Sequence, residues 1–210
     1  SQVTKAHADA LPSWCKALGQ AIKPLVLPAS APEYADAARY GSTYCVRAEI
    51  LRGVIGACLQ DMAGIDTRSG DSSRAWDDAQ VYFCALLTGI CLGARVGEVA
   101  TLSAAAVDLD FSPPLATLIG KGNRFAEESR TLMIPARLVP LWRAVLDDRR
   151  DGPAFQVHSQ RAEGKRPLKR HDLWRYVAAM SAQACFRGGL SDGVIRFHAL
   201  RHHLVGHFLV

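Results

Sequence analysis

The sequence predicts an α+β domain, mainly helical, with one small antiparallel sheet or hairpin. Three observations predict it. Apolar residues recur at three- and four-residue steps through most of the chain. That spacing gives way in one region, residues 115–134, to short β-type runs. Helical spacing then resumes and continues to the last residues. With 210 residues, 49% apolar and 21% charged, the chain has the balance of a protein that buries a core, not of a disordered one.

The elements follow in order. Residues 11–22 carry a weak helical pattern on Leu11, Trp14, Leu18 and Ile22. Pro24, Pro28 and Pro32 come next, a spacing that forbids a helix and favours an extended linker. A boundary is expected there, with residues 1–40 as an arm and 41–210 as the main domain. Residues 33–62 read as a helix with Val46, Ile50, Leu51, Val54, Ile55, Cys58 and Leu59 on one face. Residues 64–73 read as a polar loop. Residues 76–99 are apolar nearly all round, the mark of a buried helix, with a turn expected near Gly93. Residues 115–119 and 131–134 read as the strands of a hairpin around the charged, glycine-containing stretch 120–130, and Pro135 closes the second strand. Residues 136–149 return to helical spacing on Leu138, Leu141, Trp142, Val145 and Leu146. Residues 161–171 read as a basic loop. Residues 172–186 read as a helix with Leu173, Tyr176, Val177 and Met180 inward, and 196–210 as a final helix.

Composition narrows the function only a little. Six cysteines are scattered without a CxxC pair, which suits free or buried thiols in a reducing compartment and makes a zinc ribbon improbable. No apolar run reaches the ~18–20 residues of a membrane span, and Ser1–Lys5 does not read as a signal peptide. A cytoplasmic protein is the expectation. The net charge of +5 permits a nucleic-acid partner without requiring one.

Three groups of residues could carry chemistry. The first is Gly93-Ala94-Arg95-Val96-Gly97-Glu98. An arginine among apolar neighbours is costly to bury unless paired. It reads either as a structural Arg95–Glu98 ion pair or as an anion site in which Glu98 holds Arg95. The second is Gly120-Lys121-Gly122-Asn123, at the hairpin tip. Alone, its lysine is a solvated charge; between glycines it can approach a ligand and donate a proton. The third is His198-Ala199-Leu200-Arg201-His202. Positions 198, 201 and 202 share one helical face, where His and Arg donors suit a phosphate. The i, i+4 pairs His198/His202 and His203/His207 would also suit zinc, but an arginine among them repels a dication, and no metal is expected.

Taken in order, Gly-x-Arg-x-x-Glu, Gly-Lys-Gly-Asn and His-x-Leu-Arg-His resemble the tyrosine recombinase (phage integrase) family, from about Val46 onward. The His-Ala-Leu-Arg-His box is the most specific part. The first box departs slightly, since the family's common Thr-Gly-Leu-Arg reads Leu92-Gly93-Ala94-Arg95 here. The resemblance implies an integrase-like catalytic core, with residues 1–40 as a remnant of the core-binding domain plus linker. It implies catalytic roles for Arg95, Lys121, His198 and Arg201, and supporting ones for Glu98 and His202.

The reaction so implied is site-specific recombination of double-stranded DNA. A tyrosine attacks a phosphodiester, the 5′-hydroxyl leaves, and a 3′-phosphotyrosine conserves the bond energy without any cofactor. Two arginines neutralise the transition-state oxygens, Lys121 protonates the leaving oxygen, and His198 holds the phosphate or moves a proton. All five tyrosines precede Arg201, so no nucleophile is expected within the chain, and domain 41–210 is expected to be incomplete at its C-terminus. Lys165, Arg166, Lys169 and Arg170 read either as a solvated loop or as a stripe that contacts the DNA backbone. The resemblance also implies self-association on DNA and a bacterial, nucleoid-associated setting. The alternatives are a non-catalytic, truncated DNA-binding protein, a type IB topoisomerase-like enzyme, and a basic or metal-binding helical domain.

Overall fold

The computed structural model describes residues 48–65, 70–120, 128–159, 163–188 and 197. Helix α1 (Ala48–Ala63) turns Leu51, Val54, Ile55, Cys58 and Met62 into the core. Helix α2 (Gly70–Cys91) is the central element and packs against the other four helices. Its second half is buried nearly all round, as its uniformly apolar sequence requires, with Phe83, Ala85, Leu86 and Leu87 fully enclosed. The fully buried Thr88 hydroxyl in that stretch donates back to the Cys84 carbonyl at 2.8 Å, which satisfies it without a partner outside the helix.

The chain leaves α2 through Gly93, whose φ of 57° lies in the left-handed region that suits glycine. This is the turn expected near that residue. Helix α3 (Val96–Ala100) follows, then a 3₁₀ turn at Ala104–Ala106. Strands β1 (Val107–Asp108), β2 (Leu115–Gly120) and β3 (Glu128–Met133) form an antiparallel sheet in that order, with Leu118 opposite Arg130 and Gly120 opposite Glu128. Its inner face is sealed by Ala116 and Leu118, both fully buried.

Helix α4 (Val139–Leu146), led in by a 3₁₀ turn at Ala136–Leu138, buries Leu141, Trp142, Val145 and Leu146. The Trp142 ring meets Phe155 at 5.1 Å between centroids. Strands β4 (Gln156–His158) and β5 (Lys165–Pro167) form a second antiparallel sheet. Helix α5 (Arg170–Gly188) buries Leu173, Val177 and Met180, with Tyr176 half-buried. It packs extensively on α1. That crossing is close at Gly53, where a Cβ would stand 3.1 Å from the Ala184 Cβ.

The observed architecture is thus helices with a small antiparallel sheet, as expected, and three details differ. Helix α2 begins at Gly70, so the stretch 64–73 read as a loop is partly helical. The first sheet gains β1, and β3 is shifted to Glu128–Met133, leaving Ile134 outside it. A second sheet exists, so the stretch 161–171 read as a loop contains β5 and the start of α5. The arm 1–40, its proline-rich boundary and the helix expected over 196–210, Phe197 excepted, lie outside the described residues. Among the described residues no helix is long and apolar enough to cross a membrane.

Candidate functional site

The site grows from Glu98. This residue stands in the first turn of α3, where its carboxylate Oε2 accepts the Arg95 backbone N–H at 2.7 Å. An acid there satisfies a backbone donor that the helix cannot. Its Oε1 accepts from Arg95 Nη1 at 3.1 Å. A second cation arrives from the sheet: Arg130 Nη2 on β3 donates to Oε2 at 2.6 Å and to the Gly93 carbonyl at 3.0 Å.

The exposures are unequal in an informative way. The Glu98 side chain is 4% exposed, while those of Arg95 and Arg130 are 47% and 34% exposed. The anion is therefore enclosed, and both guanidinium groups reach solvent. Burial works against the charged carboxyl, but the Arg95 N–H and the charges of Arg130 and Arg95 outweigh it and hold Glu98 below the usual carboxylate range. Among the described residues two arginines share this one carboxylate, an excess of one positive charge.

The apolar neighbours of Arg95 suggest a buried setting for it; the structure gives it a half-exposed one. The residue sits after the α2 turn in extended conformation (φ −73°, ψ 151°), outside the apolar run. The predicted Arg95–Glu98 pair is present. Arg130 was missed. Its signal lies in the alternation of β3: Arg130 shares the inner face with Leu132, and a charge on an inward position calls for a partner.

Gly120 links this cluster to the hairpin. A Cβ on Gly120 would lie 3.0 Å from Glu98 Oε1 and 3.5 Å from Arg95 Nη1. The last residue of β2 thus abuts the ion pair, and a side chain there would require the Glu98 carboxylate to give by a few tenths of an ångström. Lys121, bonded to Gly120, lies outside the described residues, as do His198, Arg201 and His202. Phe197, the residue before His198, is 1% exposed, and its ring lies where a Cβ on Gly89 would project. The chain is therefore fixed to α2 at Gly89, one residue ahead of the third box.

The proposed basic stripe divides in two. Lys165 pairs with Asp77 at 3.4 Å, and Arg166 with Asp172 at 2.6 Å. Although burial opposes it, the Arg166 side chain and the Lys169 N–H hold Asp172 below its usual range. Lys169 and Arg170 are exposed and make no ion pair among the described residues, and neither does the exposed Arg175. Asp77 and Asp78 are adjacent on α2, and Asp78 Oδ1 accepts the His158 N–H at 2.8 Å with the His158 Nδ1 at 2.9 Å.

Tyr176 belongs to a different environment. Its ring stacks on Tyr82 at 4.7 Å. Burial and the neighbouring Cys58 thiol push its hydroxyl well above the ordinary tyrosine range. Among the described residues there is no group of three or more His, Cys, Asp or Glu side chains able to hold a metal. No family model, no curated protein and no solved structure matches the chain.

Proposed function

We propose that the Arg95–Glu98–Gly120 cluster is a DNA phosphate site and that the chain is part of a tyrosine-type site-specific recombinase. One observation carries the reading. Gly120, the residue before Lys121, abuts the Arg95–Glu98 pair although the two boxes are more than twenty positions apart. An exposed guanidinium held from behind by a buried carboxylate is preorganised to accept negative charge, because its orientation is set before the ligand arrives. Lys121 follows Gly120 directly in the chain, and a lysine is a residue type able to protonate a phosphate-ester oxygen.

In this reading Arg95 and Arg201 neutralise the non-bridging oxygens of a phosphodiester, His198 orients it, and Lys121 protonates the departing 5′-oxygen. None of the chain's five tyrosines is assigned the attack, and Tyr176 remains a protonated core group. Lys169 and Arg170 contact the duplex backbone, with Lys165 and Arg166 holding β5 and α5 in place for them.

The experiment is fluorescence anisotropy of the 210-residue chain with a labelled DNA duplex at several salt concentrations. Binding is expected to weaken steeply with salt. Arg95→Ala is expected to lower affinity about tenfold, the scale of one charge-assisted contact. A nicked suicide substrate is expected to yield no covalent adduct. Salt-independent affinity, or affinity unchanged by Arg95→Ala, would overturn the reading.

A further inference from the structure

We infer that Arg130 is a positioning residue that sets the direction of Arg95 through their shared carboxylate and thereby couples the β2–β3 hairpin to phosphate binding. This rests on the phosphate reading of Arg95.

The Arg130 guanidinium serves two acceptors at once. Its Nη2 donates both to Glu98 Oε2 and to the Gly93 carbonyl. The first bond fixes the acid that fixes Arg95. The second fixes the turn that delivers the chain into Arg95 two residues later. One side chain on β3 thus grips both supports of Arg95. Glu98 has two oxygens and divides them: Oε1 serves the Arg95 guanidinium, and Oε2 serves the Arg95 backbone and Arg130. With Arg130 gone, Oε2 loses its charged partner and the carboxylate is held by Arg95 alone. Arg95 then loses a fixed counter-charge and spends entropy on finding the phosphate.

Arg130 lies opposite Leu118 in the sheet, two positions before Gly120 on β2, and Gly120 borders the same pair. The hairpin therefore touches the Arg95–Glu98 unit from both strands: by a cation from β3 and by a bare backbone from β2. Any displacement of the hairpin base relative to α3 is felt at the Arg95 guanidinium. Lysine could replace the charge of Arg130, but its ammonium sits on a flexible stem without the rigid guanidinium plane that aims the two Nη2 N–H bonds at the acid and the carbonyl.

The test is a double-mutant cycle on the 210-residue chain, read by anisotropy with a labelled duplex at several salt concentrations. Arg130→Gln alone is expected to weaken binding several-fold, up to about tenfold, and to lower the salt slope by about one phosphate contact. In an Arg95→Ala background the same change is expected to alter neither affinity nor slope. Arg130→Lys is expected to fall between wild type and Arg130→Gln, and it carries the cycle if the glutamine variant does not fold. Thermal unfolding of each variant checks the fold. Losses that add to those of Arg95→Ala would show that Arg130 acts independently, and would overturn the inference. So would wild-type binding by both Arg130 variants in a chain where Arg95→Ala weakens it, and that result would leave the phosphate reading standing. Unchanged binding by Arg95→Ala itself would remove both.

Discussion

Gly89→Ala is the sharpest probe of how the third box is held. In an exposed helix this change is favourable by about 0.5–1 kcal/mol, since glycine loses more backbone freedom on folding. Here Gly89 lies in the buried half of α2, and the new methyl would overlap the Phe197 ring at two of its atoms and crowd a third. Phe197 is 1% exposed, so the ring has no solvent to retreat into. Overpacking of this kind costs about 1–3 kcal/mol. The clash therefore exceeds the helix gain, and a net loss of about 1–2 kcal/mol is expected. Urea denaturation measures it as a fall in midpoint at unchanged slope. Phe197→Leu supplies the control, because a shorter side chain vacates the overlapped space. In that background Gly89→Ala is expected to be neutral or to stabilise by up to about 1 kcal/mol. A Gly89→Ala protein at least as stable as wild type would refute the packing argument. A loss that persists with leucine at 197 would place its cause elsewhere.

Other expectations concern charge. Glu98→Gln is expected to destabilise the protein near neutral pH, where the folded state holds the carboxyl below its ordinary value of 4.5. The contribution is complete above that ordinary value and is lost as pH falls through the depressed one. The midpoint difference between wild type and Glu98→Gln should therefore shrink in acid, and a difference constant with pH would contradict it. In alkali the sign reverses: burial pushes the Cys58 and Cys91 thiols from 9.0 up to about 12. The unfolded chain sheds those protons first, so stability should fall as pH rises above 9.0, and Cys58→Ala/Cys91→Ala should flatten that fall after allowance for its cavity cost at neutral pH.

What the sequence revealed was what its local patterns encode. The buried face of α1, the inward residues of α4 and α5, and the break at Gly93 all follow from spacing or from a single backbone preference. The second sheet was illegible for a physical reason. Strands β4 and β5 have three residues each, and Val157 is their one buried side chain. They exist because distant groups complete them: Asp78 receives the His158 N–H, and the Phe155 carbonyl receives the Leu168 N–H. Two-residue β1 is likewise formed by its pairing with β2 and carries no pattern of its own. Within the candidate site, Arg95 and Glu98 were legible because they are three positions apart. Arg130 was not, because its partners are 32 and 37 positions away.

The adjacent acids on α2 have a consequence for how this protein can vary. His158 and Lys165 face each other as one rung of the second sheet. Asp78 grips the first and Asp77 the second, so consecutive residues of one helix clasp the two sides of a single rung. The alignment of β4 with β5 is then dictated from outside by the helix, and the length of residues 159–164 is released from setting it. That connection is the place where the chain should accept an inserted peptide or a fused reporter while everything on either side keeps its address.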